Sequence, residues 1–217
     1  MKRSDVIKGD FSHRNLKKLT REFYAGELIS VAKSLLGKIF VKEDDQGLFA
    51  GRIVEVEAYD GSVDEAAHTF NGRTPRNEIM FGPGGYLYVY FTYGMYFCCN
   101  VVTGHEGEGK ALLIRAVEPV EGISFMAQRR LKRDIIDAES LTKKEFLNLT
   151  SGPGKLCQAF NITRRDNGTD LLGDRIYILQ GDRIKDEDVV TSRRIGITKS
   201  VELPWRFFIR NNPFVSK

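Results

Sequence analysis

Residues 51–68 read GRIVEVEAYDGSVDEAAH, and residues 85–100 read GYLYVYFTYGMYFCCN. In the first stretch apolar and polar types alternate from Arg52 to Tyr59, the period of a strand. Ile53, Glu55, Glu57 and Tyr59 are therefore expected on one face, and Arg52, Val54, Val56 and Ala58 on the other. In the second stretch Tyr86, Tyr88 and Tyr90 alternate with Leu87, Val89 and Phe91, which predicts a strand with phenol rings along one side. Five of the chain's 8 tyrosines fall between Tyr86 and Tyr96. Each buried hydroxyl needs a partner, so the concentration marks either a structural aromatic cluster or a pocket walled by rings. An acid beside such rings suits a pocket that holds a flat polar ring and does acid or base chemistry on it. Glu55 and Glu57 remain equal candidates for that acid: their spacing brings both to one side, and if both were buried one should titrate high.

Outward from these strands the punctuation is clear. Phe23, Leu28, Val31, Ala32, Leu35 and Leu36 fall near helical spacing, with Gly26 placed to split the segment and Gly37 to cap it. Lys38 to Glu43 and Leu48 to Tyr59 flank the turn residues Asp44 to Gly47 and predict an antiparallel hairpin. The segment after Tyr59 is loop-like, with one helical turn over Asp64 to His68; Pro75 and the GPGG run at 82–85 mark tight turns. Phe97 to Thr103 predicts a strand with Cys98, Asn100 and Val102 on one face. ALLIRAVEP at 111–119 predicts another, with Leu113, Arg115 and Val117 together. An arginine in so apolar a strand needs a buried partner. Farther on, an amphipathic helix is expected over Gly122 to Asp137, a short one capped by Thr142 and Glu145, and one from SGPGK at 151–155 through Phe160 with Ser151 as cap. Strands at Arg175 to Gln180 and Trp205 to Arg210, with a basic linker at Arg193 and Arg194 between them, complete the expectation.

Composition narrows the class. The 217 residues carry no Pro/Ser-rich or charge-block linker, so one domain over 1–217 is expected, with residues 1–16 a loosely held basic arm. A formal net charge of +4 and a pI near 8.9 favour an anionic partner. Three cysteines, two of them adjacent in an apolar run, cannot make a disulfide framework and point to a reducing compartment. No signal-peptide core and no run of about 20 apolar residues occurs, so a cytoplasmic chain without membrane contact is expected.

Other chemistries lack their residues. His13, His68 and His105 form no H-x-x-x-H and there is no C-x-x-C, so no metal is expected. SGPGK lacks the spacing of a phosphate loop and the Ser/Thr after Lys155 that would hold magnesium. No nucleophile elbow or dinucleotide fingerprint is present, and no cofactor is implied.

Taken together, RIVEVEAY, DEAAH, TPRN, MFGPGGYLYVYFTYGMYFCCN, ALLIRAVEP, SGPGKLCQAF and RFFIRNNPFVS resemble the alkyladenine (3-methyladenine) DNA glycosylase family, monofunctional type, from about Phe23 to Ser216. The resemblance implies a single mixed α+β domain around a curved, mainly antiparallel sheet flanked by helices, similar to the formyltransferase C-terminal domain. It implies a monomer that removes alkylated or deaminated purines, 3-methyladenine foremost and hypoxanthine and ethenoadenine less readily, from duplex DNA by hydrolysis of the N-glycosidic bond, the first step of base excision repair. Carried over by motif, the glutamate before Ala-Tyr is Glu57, the general base that activates a water, and Arg115 helps orient that water. Tyr59 would stack on one side of the extruded base, with His68 and Tyr90 on the other, and Asn100 would crowd a normal guanine. Tyr93, with Met95 in the same Y-G-M-Y segment, would intercalate where the flipped nucleotide was. Asp60, Phe70 and Asn71 depart from the family pattern at positions that bear on the breadth of substrate. No lysine sits in a motif suggesting a Schiff base, so an abasic product without strand cleavage is expected. Two rivals stand beside this: a non-catalytic nucleic-acid-binding module of the same fold, and a glycosidase acting on free nucleosides.

Overall fold

A computed structural model describes residues 16–92, 94–135 and 137–216. The expected basic arm therefore lies outside the described residues, apart from Leu16. The chain folds as one mixed α+β domain on an eight-stranded antiparallel sheet.

The organising strand is β2 (Gly47–Asp60). Its first half pairs with β1 (Ile39–Asp44) across the predicted turn, and Glu55–Glu57 continue along that same edge against β8 (Arg206–Ile209). Its other edge pairs along nearly its whole length with β5 (Lys110–Glu121). Beyond β5 lie β4 (Tyr96–Thr103) and β3 (Leu87–Thr92), the two halves of the tyrosine-rich hairpin. β6 (Ile176–Leu179) borders β1. β7 (Val189–Ser192), which borders β8, lies in what the sequence suggested was linker: four residues, none of them fully buried, carry too little alternation to register.

One face of the sheet makes the main core. Ile53, Val56 and Ala58 of β2, Leu112, Ile114 and Val117 of β5, Leu87 and Val89 of β3, and Cys99 and Val101 of β4 pack there under three helices. These are α2 (Leu28–Leu35), α5 (Pro153–Ala159) and Met126 of α3 (Ile123–Leu131). The predicted break at Gly26 separates α2 from α1 (Arg21–Tyr24). On the opposite face Val54 and Ala116 start a second cluster with Phe146 and Phe214. Farther along, Met80, Tyr88, Val102 and Ala111 start another.

Two expected faces are wrong, for one reason. Simple alternation places Ile53 with the glutamates and Val117 with Arg115, yet both valine and isoleucine are in the main core. The register explains it: Ile53 faces Val117, Glu55 faces Ala116 and Val56 faces Ile114, so Val54 on β2 and Arg115 on β5 are each one residue extra. Such β-bulges shift the phase of a strand by one residue. Paired bulges on adjacent strands let both remain in the sheet while Glu55, Glu57 and Arg115 are presented together on the face away from the main core.

The remaining differences are local. α3 stops at Leu131 because Lys132 adopts a left-handed conformation at φ 57°, although Ile135 still packs in the second cluster. Asp64 to His68 form hydrogen-bonded turns and not a helix. The cap of α5 is Gly152 at φ 146°, while Ser151 makes a bridge to Ala116. The capping box of Thr142 and Glu145 forms as predicted on α4 (Lys143–Leu147).

Candidate active site

The sheet register assembles the site. Tyr88 faces Asn100, Asn100 faces Leu113 and Leu113 faces Glu57, a row running across β3, β4, β5 and β2. Directly paired residues point to the same side of a sheet, so the tyrosine strand and the carboxylate strand share one face although 2 strands separate them.

Glu55 and Glu57 are both wholly buried, and their partners separate their roles. Glu55 accepts from Arg206 Nε at 2.6 Å, Arg115 Nε at 3.2 Å, Ser216 Oγ at 2.9 Å and the Ser216 amide at 2.6 Å. A carboxylate offers about four acceptor sites, so Glu55 is saturated. Its contacts tie the C-terminal segment and β8 to the sheet. Glu57 accepts from Tyr59 Oη at 2.9 Å and Arg115 Nη1 at 3.2 Å on one oxygen, and from the Ile195 amide at 2.7 Å on the other. Among the described residues these are its donors, and they leave it capacity for one more hydrogen bond. Two guanidiniums, Arg115 and Arg206, face the two carboxylates, which satisfies the requirement that buried charge be paired. Burial would lower the Arg115 pKa, but Glu57 and Glu55 outweigh it and raise it, so the guanidinium is charged.

Beside Glu57 a cavity of about 160 Å³ is lined by Tyr59, Ala66, His68, Met80, Tyr88, Tyr90, Thr92, Asn100 and Ile197. Tyr59, at the end of β2, links the two: its ring is in the wall and its hydroxyl donates to Glu57. Burial and then the Glu57 charge push its pKa up, so it stays a phenol and a donor. Tyr90 and Tyr88 are stacked at 5.5 Å between centroids and 21° between planes; burial first, then Cys98 beside it, keeps Tyr90 protonated. The His68 ring meets Tyr90 edge-on at 4.5 Å, its Nδ1 lies 3.0 Å from Tyr88 Oη, and its carbonyl accepts from Asn77 Nδ2 at 2.8 Å. Burial, and secondarily the cation Arg76, lower its pKa, so His68 is neutral at neutral pH.

Of the residues singled out in the sequence, Tyr59, His68, Tyr90 and Asn100 therefore line one cavity, and the bonded pair of Glu57 and Arg115 lies behind its lining, joined to it through the Tyr59 hydroxyl. Met95 lies at the tip of the β3–β4 hairpin with 68 % of its surface exposed. Tyr93 lies outside the described residues. Tyr88 belongs to the wall and was visible in the period-2 pattern shared with Tyr90. Ile195, Ile197 and Arg194 were not: their segment was expected to be a basic linker, yet it crosses β2, and Arg194 is buried against Asp64. No local pattern marks a residue whose role is set by a contact 138 positions away.

Comparisons with known proteins identify the family. The family description Methylpurine-DNA glycosylase (MPG) matches residues 22–213. A protein of Alkaliphilus oremlandii named "Putative 3-methyladenine DNA glycosylase" is 50 % identical over 204 residues, covering 92 % of this chain and 99 % of the relative. Proteins of the same name from Clostridium acetobutylicum (48 % identical over 92 % of this chain and 97 % of the relative) and Desulfitobacterium hafniense (45 % over 93 % and 99 %) match likewise. With a ring-walled cavity linked through Tyr59 to a buried carboxylate on this fold, and with matches that span nearly the whole chain, the protein belongs to the methylpurine-DNA glycosylase family.

Proposed function

We propose that the chain excises 3-methyladenine and other alkylated purines from duplex DNA by hydrolysis, acting as a monomer in the cytoplasm. The observation that carries this reading is a buried carboxylate, Glu57, with hydrogen-bonding capacity to spare, tied to the aromatic cavity by the hydroxyl of the wall residue Tyr59. A base in the stack is out of reach of a protein-held water, so the nucleotide rotates out at a cost of a few kcal/mol, least for lesions that pair badly. The cavity offsets part of that: stacking on the rings of Tyr59 and Tyr90 is worth roughly 1–3 kcal/mol, and a cationic purine gains a further attraction to their faces. Met95, at the hairpin tip, and Tyr93 fill the space left in the duplex. Asn100 lines the cavity where it crowds the exocyclic amine of an undamaged guanine.

Glu57 takes a proton from the water as its oxygen bonds to the anomeric carbon, and the purine leaves with the electron pair of the glycosidic bond. The ionised carboxylate also stabilises the positive charge that develops on the sugar. Arg115, fixed against both glutamates, orients the water. A cationic 3-methyladenine leaves as a neutral base. Hypoxanthine and ethenoadenine require a proton, and His68, neutral in its wall, is a poor source of it. These neutral bases are therefore the slower substrates.

The test is release of free base from methylated duplex DNA, identified by mass, compared between the parent protein and Glu57→Gln. A positioned base contributes on the order of 100- to 10,000-fold, so the variant should lose that much turnover while still binding lesion duplex. Parental turnover by Glu57→Gln would refute the assignment. The product should be an abasic site, and nicking without added alkali would contradict a purely hydrolytic route.

A further inference from the structure

The segment after β7 carries a buried ion pair that the reaction outlined above leaves unused. Arg194 Nη1 donates to Asp64 Oδ2 at 2.5 Å and Nη2 to Asp64 Oδ1 at 2.8 Å, with both side chains fully buried. The same guanidinium donates to the carbonyls of Ala58 at 3.0 Å and Ser200 at 3.2 Å. Its Cζ lies over the Tyr59 ring at 4.6 Å from the centroid and over the Trp205 ring at 5.6 Å.

From this pair, contacts lead to four parts of the cavity. Tyr59 is touched directly. The next residue in the chain, Ile195, donates its amide to Glu57, and Ile197 of the same segment is in the cavity wall. On the other partner, Asp64 Oδ1 accepts from the Ala66 amide at 3.0 Å and the Asp64 carbonyl accepts from the Ala67 amide at 2.9 Å, which sets the turn delivering Ala66 and His68 to the wall. A second tie, Glu65 N–H to Ser200 Oγ at 3.0 Å, runs between the same two segments.

Stability alone is a poor reason for such a pair. Two buried charges recover their desolvation only with excellent geometry, and apolar residues of similar volume often serve as well or better. Arg194 also leaves its Nε buried with no hydrogen-bond partner among the described residues, a further cost. What the planar guanidinium provides that an apolar side chain does not is a fixed orientation: a bidentate fork on the carboxylate and a flat face on the ring.

We infer that Arg194 and Asp64 are positioning residues of the active site, locking the Tyr59 ring, the Ile195 amide on Glu57 and the turn before His68 into one arrangement. The inference rests on the excision reaction proposed above, because it gives those groups their roles. Neither residue touches the substrate; the pair acts through Tyr59 and Glu57.

Three variants test it. Arg194→Lys keeps the charge and loses the planar fork, Asp64→Asn keeps the shape and loses the charge, and the double variant Asp64→Asn/Arg194→Gln leaves no buried charge behind. Each is measured for thermal unfolding, for affinity toward lesion-containing duplex, and for single-turnover base release at a temperature where it is fully folded. The double variant is expected to remain folded, to bind within about threefold of the parent, and to release base at least tenfold more slowly. Because the pair acts as a unit, the double should be no slower than the slower single variant. Fluorescence of Trp205, the chain's 1 tryptophan, should shift in all three, since its stacking partner changes. Parental release rates in any folded variant, or loss of folding in all three, would overturn the inference and leave a purely structural pair. Failure of the parent protein to release base counts instead against the glycosylase reading.

Discussion

Two glutamates two residues apart, both buried and both bonded to Arg115, are distinguished by what else reaches them. Glu55 is enclosed by Arg206 and Ser216, so replacing it with glutamine leaves two guanidiniums facing one carboxylate. Breaking a buried pair in this way typically costs about 3–5 kcal/mol. Glu55→Gln is therefore expected to lower the denaturant midpoint markedly, whereas Glu57→Gln is expected to lose turnover first and stability less; urea titrations beside base-release assays distinguish the two. His68 provides a second prediction at this scale. Its folded pKa lies below the ordinary value near 6.5 because it is buried and faces Arg76. On acidification below about pH 6.5 the unfolded chain binds a proton that the folded chain does not, so this residue contributes a loss of stability as pH falls. An NMR titration should find the His68 midpoint below 6.5, moving upward in Arg76→Ala; a midpoint at or above 6.5 in the parent would contradict the burial argument.

At the scale of elements, bulges and a left-handed turn matter more than propensity. The extra residues Val54 and Arg115 change which face the strand presents, so that apolar residues before and after the bulge serve one core while the acids serve the other face. Between β5 and α3 the chain turns at Gly122 with φ 76°, where an added Cβ would lie 2.7 Å from Phe49 Cδ1 and 2.8 Å from the Leu48 carbonyl. Gly122→Ala should therefore cost at least about 1 kcal/mol, from the backbone conformation and from displacement of the β2 residues it meets. Thermal unfolding of the variant checks this, and an unchanged midpoint would mean that the turn relaxes freely.

Over the whole molecule the basic residues are unevenly used. Many are paired, as Arg21 with Asp170, Lys42 with Asp166 and Arg129 with Asp44 are. Lys143, Lys144 and Lys155 instead line a cleft of about 550 Å³ with Ser151 and Val215, and they have no carboxylate partner among the described residues. The cleft is linked to the buried carboxylates through the chain: Ser151 bridges to Ala116, next to Arg115, and Val215 precedes the Ser216 that holds Glu55. Its lysines can meet the phosphates of the duplex proposed above. Lys143→Ala/Lys144→Ala should weaken duplex binding to a similar degree for all sequences and reduce the slope of log K against log salt by roughly 1–2, read from titrations at several salt concentrations. An unchanged slope would place the phosphate contacts elsewhere.

The local elements were legible in the residues because their causes are local. The split helix at Gly26, the capping box at Thr142, the hairpin turn before Gly47 and the alternation of Tyr86, Tyr88 and Tyr90 each depend on a few neighbouring side chains. That Glu55 and Glu57 share a face was legible too, from their spacing, and the glutamate of the Glu-Ala-Tyr motif could be named from its resemblance to a family. What the residues could not reveal were features whose causes lie across the sheet. A bulge exists only relative to a partner strand, so Val54 and Arg115 look like ordinary members of alternating runs until β2 and β5 are paired. Arg194 looks like half of a basic linker until folding brings it against Asp64, 130 residues earlier. Its charge could have been solvated anywhere on the surface; only the tertiary structure buries it, since only there do a carboxylate, two carbonyls and two aromatic rings converge on one guanidinium.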